Sequence, residues 1–128
     1  MDESLLEIRD YTGAGYRPLV DYGAWRVALL RFADDMLPRN ICRFQRHDET
    51  DEVFVLLEGR CILYIGEGNE AITAIHAEDM SPLKVYNVKR GVWHNHTLSW
   101  DAVVLIVENR DTGDHNSPFC PLKETQRQ

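Results

Sequence analysis

The stretch ICRFQRHDETDEVFVLLEGRCILYI, residues 41–65, decides the fold. Val, Ile, Leu, Tyr and Phe are dense in three of its segments, which predicts β-strands there. Four polar residues in a row and an adjacent Glu-Gly pair break the strands and favour tight turns. Short connections of this kind join antiparallel strands. The predicted strands are Ile41–His47, Glu52–Leu57 and Arg60–Ile65.

The same pattern continues on both sides of this stretch, and it predicts an all-β chain. Helical periodicity is weak, and the one exception, Glu3–Arg9, fits a short helix or an edge strand. Many short strands at regular spacing favour an antiparallel sandwich or barrel with few or no helices. The further predicted strands are Ala24–Phe32, Ala71–Ile75, Lys84–Val88, Val92–Leu98 and Ala102–Val107.

Length and composition limit the classes of protein. The 128 residues predict a single domain over 1–128, with a core of about 24–107 and a polar C-terminal extension at 111–128. The segment Glu108–Cys120 fits a lid over the barrel mouth or a plain surface extension. A net charge of −7 argues against binding nucleic acid or an anionic membrane. Three scattered cysteines and an acidic N-terminus favour a cytoplasmic protein.

Four polar residues in the predicted strands form a candidate metal site. Gln45 and His47 are two apart and share a face of their strand. If Asp48–Asp51 is a hairpin tip, His47 and Glu52 are cross-strand partners within reach of one ion. His94, in a later strand, completes a set of two imidazoles and a carboxylate, and Gln45 can add an amide oxygen. Such a set leaves coordination positions open for a substrate or water.

These residues also resemble the motifs of the cupin family. His47-x4-Glu52-x6-Gly59 is similar to the second half of the first cupin motif, and Gly91-x2-His94 is similar to the core of the second. The resemblance covers about residues 41–107. Several motif positions differ from the usual residue. Gln45 replaces a histidine, Lys89 a proline, Leu98 an asparagine, and Arg39 and Leu83 replace glycines.

The cupin resemblance implies a jelly-roll barrel, or double-stranded β-helix, that holds a divalent metal. It assigns metal ligation to His47, Glu52 and His94, with Zn, Fe, Mn and Ni all chemically suitable. An amide oxygen at Gln45 remains a workable ligand for such ions. The zinc-dependent phosphomannose isomerases, which are similar to cupins, use a Gln-x-His pair at this place, although the rest of their sequence is not visible here.

Further residues are expected to line a ligand pocket beside the metal. His96 shares the face of His94 and fits an extra ligand, a residue that moves a proton near the metal, or a group hydrogen-bonded to a ligand; it is the candidate catalytic residue. Phe54 shares the face of Glu52. Tyr64 and Tyr86 fit a pocket wall as well as ordinary core packing. Arg26 fits a grip on an anionic substrate as well as an exposed strand charge.

Two functional classes and one partner follow. The first class is a metal-dependent enzyme of the isomerase, epimerase, lyase or oxygenase type, acting on a sugar, hydroxy acid or keto acid. The second is a non-catalytic small-molecule binding or sensing module that has lost tight metal binding. A structural or storage role would leave the polar cluster unexplained, because buried polar groups need partners. Consecutive apolar residues in Val53–Leu57 and Val103–Val107 predict a homodimer through one sheet face.

Overall fold

The computed structural model describes residues 1–127 and shows ten β-strands. Gln128, the last residue of the expected C-terminal extension, lies outside the described residues. The only helices among residues 1–127 are four 3₁₀ turns of three residues each. The strands are β1 (Gly15–Tyr22), β2 (Trp25–Arg31), β3 (Arg43–Gln45), β4 (Glu52–Glu58), β5 (Cys61–Glu67), β6 (Ala74–Asp79), β7 (Tyr86–Val88), β8 (Trp93–Leu98), β9 (Val103–Asn109) and β10 (Phe119–Pro121).

Two five-stranded antiparallel sheets form the barrel. The first sheet has the order β1-β2-β9-β4-β7, and the second has the order β10-β3-β8-β5-β6. The chain therefore changes sheet between β3 and β4 and again between β4 and β5. This arrangement is the jelly roll that the sequence predicts.

The strands extend further along the chain than the sequence predicts. β1 lies before the expected core, and its Pro18 hid it because proline is unusual within strands. β1 is an edge strand and has a register shift between Pro18 and Val20, where proline is tolerated. β10 lies within the expected C-terminal extension and pairs with β3. Glu3–Arg9 forms neither the short helix nor the edge strand that its pattern allows; it is exposed and has only a turn.

The main core fills the space between the sheets. Strands β4 and β9 alternate inward and outward side chains, as the period of two requires. Phe54, Leu56, Val104 and Ile106 are each at most 1% exposed, and they pack against residues of β5 and β8 from the second sheet. Each such side chain contributes about 1.5–3 kcal/mol when it is fully buried.

A second apolar cluster covers the outer face of the second sheet. Phe44 and Trp93 project from this face and pack with Ile41 and Ile72. The C-terminal segment crosses the same face, and its Leu122 and Cys120 pack against the cluster. This packing anchors the end of the chain to the barrel. Within residues 1–127, no helix is long and apolar enough to cross a membrane.

Candidate metal centre

Three of the predicted ligands meet inside the barrel. His47, Glu52 and His94 each offer one ligand atom, and these atoms all lie within 4.8 Å of one another. Glu52 Oε1 is 3.0 Å from His47 Nε2 and 2.9 Å from His94 Nε2. Glu52 and His94 are buried, and His47 is nearly so. The geometry therefore brings two imidazoles and one carboxylate to a single point, away from bulk water.

The predicted route by which His47 and Glu52 approach each other is wrong. They are not cross-strand partners of one hairpin, because Glu52 on β4 pairs with Val88 of the first sheet. His47 instead follows β3 of the second sheet, where Gln45 pairs with His94. The residues between them form the crossing from one sheet to the other. His47 and Glu52 thus approach each other across the barrel interior, from facing sheets.

The donor set of this cluster fits a metal ion. His94 Nδ1 is 3.1 Å from the carbonyl oxygen of Val92. Because a carbonyl only accepts hydrogen bonds, Nδ1 carries a proton, so Nε2 either binds a metal ion as a bare nitrogen or carries a second proton and donates to Glu52. A bare nitrogen 2.9 Å from a carboxylate oxygen needs a cation between them, either a proton or a metal ion. Imidazole and carboxylate donors suit Zn, Fe, Mn or Ni.

The charges of the buried groups agree with this reading. Burial alone would raise the pKa of Glu52, but hydrogen bonds with His47 and His94 outweigh it and hold that pKa below its usual range. Burial also works against a charged His94, but Glu52 outweighs it and raises the pKa of that imidazole. The pocket thus favours a negative carboxylate surrounded by positive charge.

Gln45 lies beside the three ligands and lines the same cavity. Its Nε2 donates a hydrogen bond to the carbonyl oxygen of Ser117 at 2.9 Å. That bond orients the amide and leaves Oε1 as the atom able to approach an ion.

The cluster opens into a cavity of about 530 Å³, a size suited to a small ligand. His96 lines the cavity, and its Nδ1 is buried without a hydrogen-bond partner. Burial lowers the pKa of His96 to about 4, so its ring is neutral at neutral pH. Phe54 packs beneath the histidines, with its ring centroid 6.1 Å from those of His94 and His96.

Three of the expected pocket residues do not line the cavity, and this corrects the sequence prediction. Phe54 is buried in the main core behind the histidines. Tyr64 is on the outer face of the second sheet, where it stacks on Phe44 at 6.4 Å, because the alternation in β5 turns Leu63 and Ile65 inward. Tyr86 packs against the main core, and its hydroxyl accepts a hydrogen bond from the Ser81 N–H.

Arg26 does line the cavity, but most of its donors are used within the protein. It donates to the carbonyl oxygens of Arg110 and Thr112, and it lies 3.5 Å from Glu108 Oε2. Arg26 therefore ties the start of the C-terminal segment to the barrel mouth.

The sequence analysis missed a second buried carboxylate in the cavity. Glu108 is 5% exposed and follows Val107, which pairs with Val53, so Glu108 and Glu52 are neighbours on adjacent strands. Tyr16 donates a hydrogen bond to Glu108 at 2.9 Å. Burial and the nearby charge of Glu52 raise the pKa of Glu108. The inward alternation of Val104, Ile106 and Glu108 is the signal that could have identified it.

Ser117 is the other missed residue, and no spacing signal marks it. It is 1% exposed, and its hydroxyl oxygen lies 2.7 Å from His47 Nδ1. The C-terminal segment is therefore a wall of the site and not a plain surface extension.

The two motif glycines have structural tasks. Gly59 has a φ of +71°, and an added Cβ there would lie 2.6 Å from the Cα of Ala102, so a side chain is excluded twice over. Gly91, with a φ of +80°, donates its N–H to the carbonyl oxygen of His47. This bond ties the turn before β8 to the segment that carries the first histidine.

A two-sheet jelly roll with histidine and carboxylate ligands inside one end defines a class of small barrel proteins, and comparison with solved structures identifies the fold as that of the cupins. A cupin-2 domain protein from Shewanella frigidimarina superposes with a TM-score of 0.54 at 17% identity, covering 84% of this chain and 89% of its own. KdgF from Halomonas gives 0.55 at 11% identity, covering 78% and 81%.

The Streptomyces nucleoside dehydratase Pac13 gives a TM-score of 0.58 at 11% identity, covering 91% of this chain and 88% of its own. No protein-family model and no curated protein matches the sequence. The chain is thus a small protein of cupin fold that carries a candidate metal site.

Proposed function

We propose that this protein binds a divalent metal ion through His47, Glu52 and His94, and that it is a metal-dependent enzyme acting on a small polar metabolite. The observation that carries the proposal is the convergence of the three ligand atoms within 4.8 Å. Three protein ligands leave coordination positions open, which is typical of catalytic and not of structural sites. An ion bound there would polarise an oxygen of the substrate.

The lining of the cavity supports the proposed substrate class. Its walls combine the polar side chains Gln45, His96 and Glu108 with apolar contacts, as a sugar, hydroxy acid or keto acid requires. His96, neutral and with a free Nδ1, is the proposed proton-moving residue. Pac13, a nucleoside dehydratase studied with uridine, is a lyase on this fold. Isomerase, epimerase, lyase and oxygenase chemistry all remain within the proposal, because fold does not select reaction.

A non-catalytic binding or sensing role is the second proposal. Gln45 favours it, because an amide replaces the histidine usual in the cupin motif and its Nε2 is already bound to Ser117. In that case the cavity holds a small molecule by shape and hydrogen bonds.

Metal content separates the two proposals. Native protein purified without chelator is analysed by elemental mass spectrometry, beside the double variant His47→Ala, His94→Ala. The matched control is His76→Ala, His115→Ala, which removes two exposed histidines that also pair with acids. We expect about one metal per chain in the wild type and the control, and none in the site variant. Metal far below one per chain, even after reconstitution, supports the binding module instead.

The proposed partner is a second copy of this chain. The outer face of the first sheet presents a continuous apolar patch, which is typical of an interaction surface. A two-fold dimer would cover this patch on both copies. Its members, on three neighbouring strands, are Val27, Leu29, Val53, Val55, Leu105 and Val107.

Light scattering at micromolar concentration tests the dimer. We expect a mass of twice 14.8 kDa for the wild type and a monomer for Leu105→Glu. Lys84→Glu, on an exposed loop, serves as the charge control. A wild-type monomer would count against this interface.

A reducing compartment such as the cytoplasm is proposed as well, since Cys42, Cys61 and Cys120 are all free thiols.

A further inference from the structure

We infer that Asn116 and Ser117, in the C-terminal segment, are positioning residues that commit His47 to the tautomer able to bind a metal. His47 binds an ion through Nε2 only if that nitrogen is bare and the ring proton is on Nδ1. In metal-free protein the Glu52 carboxylate favours a proton on Nε2, so the neighbours of Nδ1 decide whether the ring can keep its proton there and release Nε2 to an ion.

The first step concerns the single hydroxyl proton of Ser117. Ser117 Oγ is 3.1 Å from Asn116 Oδ1 and 2.7 Å from His47 Nδ1. A hydroxyl has one proton to donate and lone pairs with which to accept. If the proton goes to Asn116, the oxygen must accept from His47, and Nδ1 must carry the ring proton.

Asn116 presents its amide oxygen, and not its amino group, to Ser117. Asn116 Nδ2 is 2.7 Å from Glu49 Oε2 and 2.7 Å from the carbonyl oxygen of Asp111, and both of these only accept. The backbone N–H of Gly113 donates to Asn116 Oδ1 at 3.1 Å. Three neighbours therefore fix the orientation of this amide, which settles where the Ser117 proton goes.

The consequence is a directed chain of hydrogen bonds. His47 Nδ1–H donates to Ser117 Oγ, and the Ser117 hydroxyl donates to Asn116 Oδ1. His47 Nε2 is then bare and faces Glu52 Oε1 at 3.0 Å, as His94 Nε2 does at 2.9 Å. His94 gets the same tautomer from a backbone carbonyl, whereas His47 gets it from side chains 69 and 70 positions further along the chain.

The same segment also orients the fourth candidate ligand. The carbonyl oxygen of Ser117 accepts from Gln45 Nε2, so one residue holds both polar side chains at the end of β3. Backbone bonds keep Ser117 in place, since Asp48 N–H donates to Asn116 and Arg46 N–H donates to Pro118. The site is therefore assembled only when the C-terminal segment is docked.

The tautomer is measured directly by long-range ¹H–¹⁵N spectroscopy of the histidine rings at alkaline pH, in metal-free protein, with His47 assigned through His47→Gln. All samples carry Glu52→Ala, because the Glu52 carboxylate, 3.0 Å from His47 Nε2, would itself hold a proton there when no metal ion is bound. We expect His47 to be protonated at Nδ1 in this background and in the control that adds Ser99→Ala. When Ser117→Ala or Asn116→Ala is added instead, we expect a mixture of tautomers. Asn116→Ala keeps the serine hydroxyl and removes the acceptor of its proton, so a fold defect at the buried Ser117 does not remove the test. A ring protonated at Nε2 in the Glu52→Ala background, or no change on adding Asn116→Ala, would overturn the inference.

Zn²⁺ affinity, measured by competition with a chromophoric chelator, gives the second readout, which rests on the proposed metal-binding function. Loss of a hydrogen-bond partner of a ligating histidine typically weakens metal binding by about 10–100-fold. We expect a loss of that size in Ser117→Ala and none in Ser99→Ala. Equal affinities would overturn the positioning role. A wild type that takes up no Zn²⁺ would refute the proposed function, while the ring spectra would still decide the tautomer.

Discussion

The two ends of the barrel interior are built from the same strands but have opposite character. Along the inward face of β4, Glu52 gives way to Leu56, and along β9, Glu108 gives way to Val104. On β8, His94 is followed four residues later by the buried Leu98. One end is thus lined with titratable groups and the other is an ordinary apolar core. Regular β-structure continues through both, so the strands act as a rigid support for the polar end.

The contrast separates stability from function. At the apolar end, the burial of apolar side chains away from water stabilises the fold. The carboxylates and imidazoles at the polar end lose hydration when they are buried. Hydrogen bonds with partners such as Tyr16, Val92 and Ser117 compensate for that loss. A polar cluster of this kind adds little to folding, which favours the proposed metal-binding role.

Truncation at the apolar end should have the largest effect on stability. Leu56 is 1% exposed in the main core, so Leu56→Ala removes contacts and leaves a cavity. We expect the free energy of unfolding to fall by about 2–5 kcal/mol in a denaturant titration, with metal content per folded chain unchanged. If the Leu56→Ala variant loses metal under conditions in which all of it is folded, the two ends are not independent.

A change at the polar end should give the reverse result. Glu52→Gln keeps the shape of the side chain, and its amide can donate to a bare imidazole nitrogen. We expect the metal-free protein to lose no more than about 3 kcal/mol of unfolding free energy, the upper range for a hydrogen bond to a charged group. Metal affinity should fall by more than the ~10–100-fold typical of outer hydrogen-bond partners, because a charged ligand is lost. A large loss of stability with metal binding retained would contradict the comparison.

Glu108 predicts a smaller effect that depends on pH. Its folded pKa is raised above 4.5, so the folded state binds more protons and the wild type loses stability as pH rises from about 4.5 through the folded pKa. Glu108→Gln removes this loss. The unfolding free energy of the variant minus that of the wild type should therefore be larger at neutral pH than near pH 4. A tenfold difference in proton affinity between the folded and unfolded states corresponds to about 1.4 kcal/mol.

Denaturant titrations of metal-free protein at the two pH values give the measurement. Glu78→Gln, which removes an exposed carboxyl on β6, is the control and should show no such difference. A pH-independent difference for Glu108→Gln would mean that burial does not raise the pKa of this carboxyl.

The sequence predicted the strands near the centre of the chain and the grouping of His47, Glu52 and His94, because alternation and spacing are local signals. It failed where the partner is distant. Tyr64 has the same local pattern as an inward residue, and only the pairing of β5 with β8 shows that it faces outward. Ser117 follows a polar stretch like any surface loop, and its role exists only through contact with His47.

Residue order alone determined that this chain is all-β, that it is acidic, and that two histidines and a glutamate are spaced like metal ligands, because these properties depend on side-chain type and separation. The tertiary structure alone decided that His47 and Glu52 approach each other from facing sheets, that Glu108 joins the cavity, and that the end of the chain orients His47. Those contacts join residues that are far apart in sequence, and the packing of two sheets, which no local pattern encodes, sets their distances.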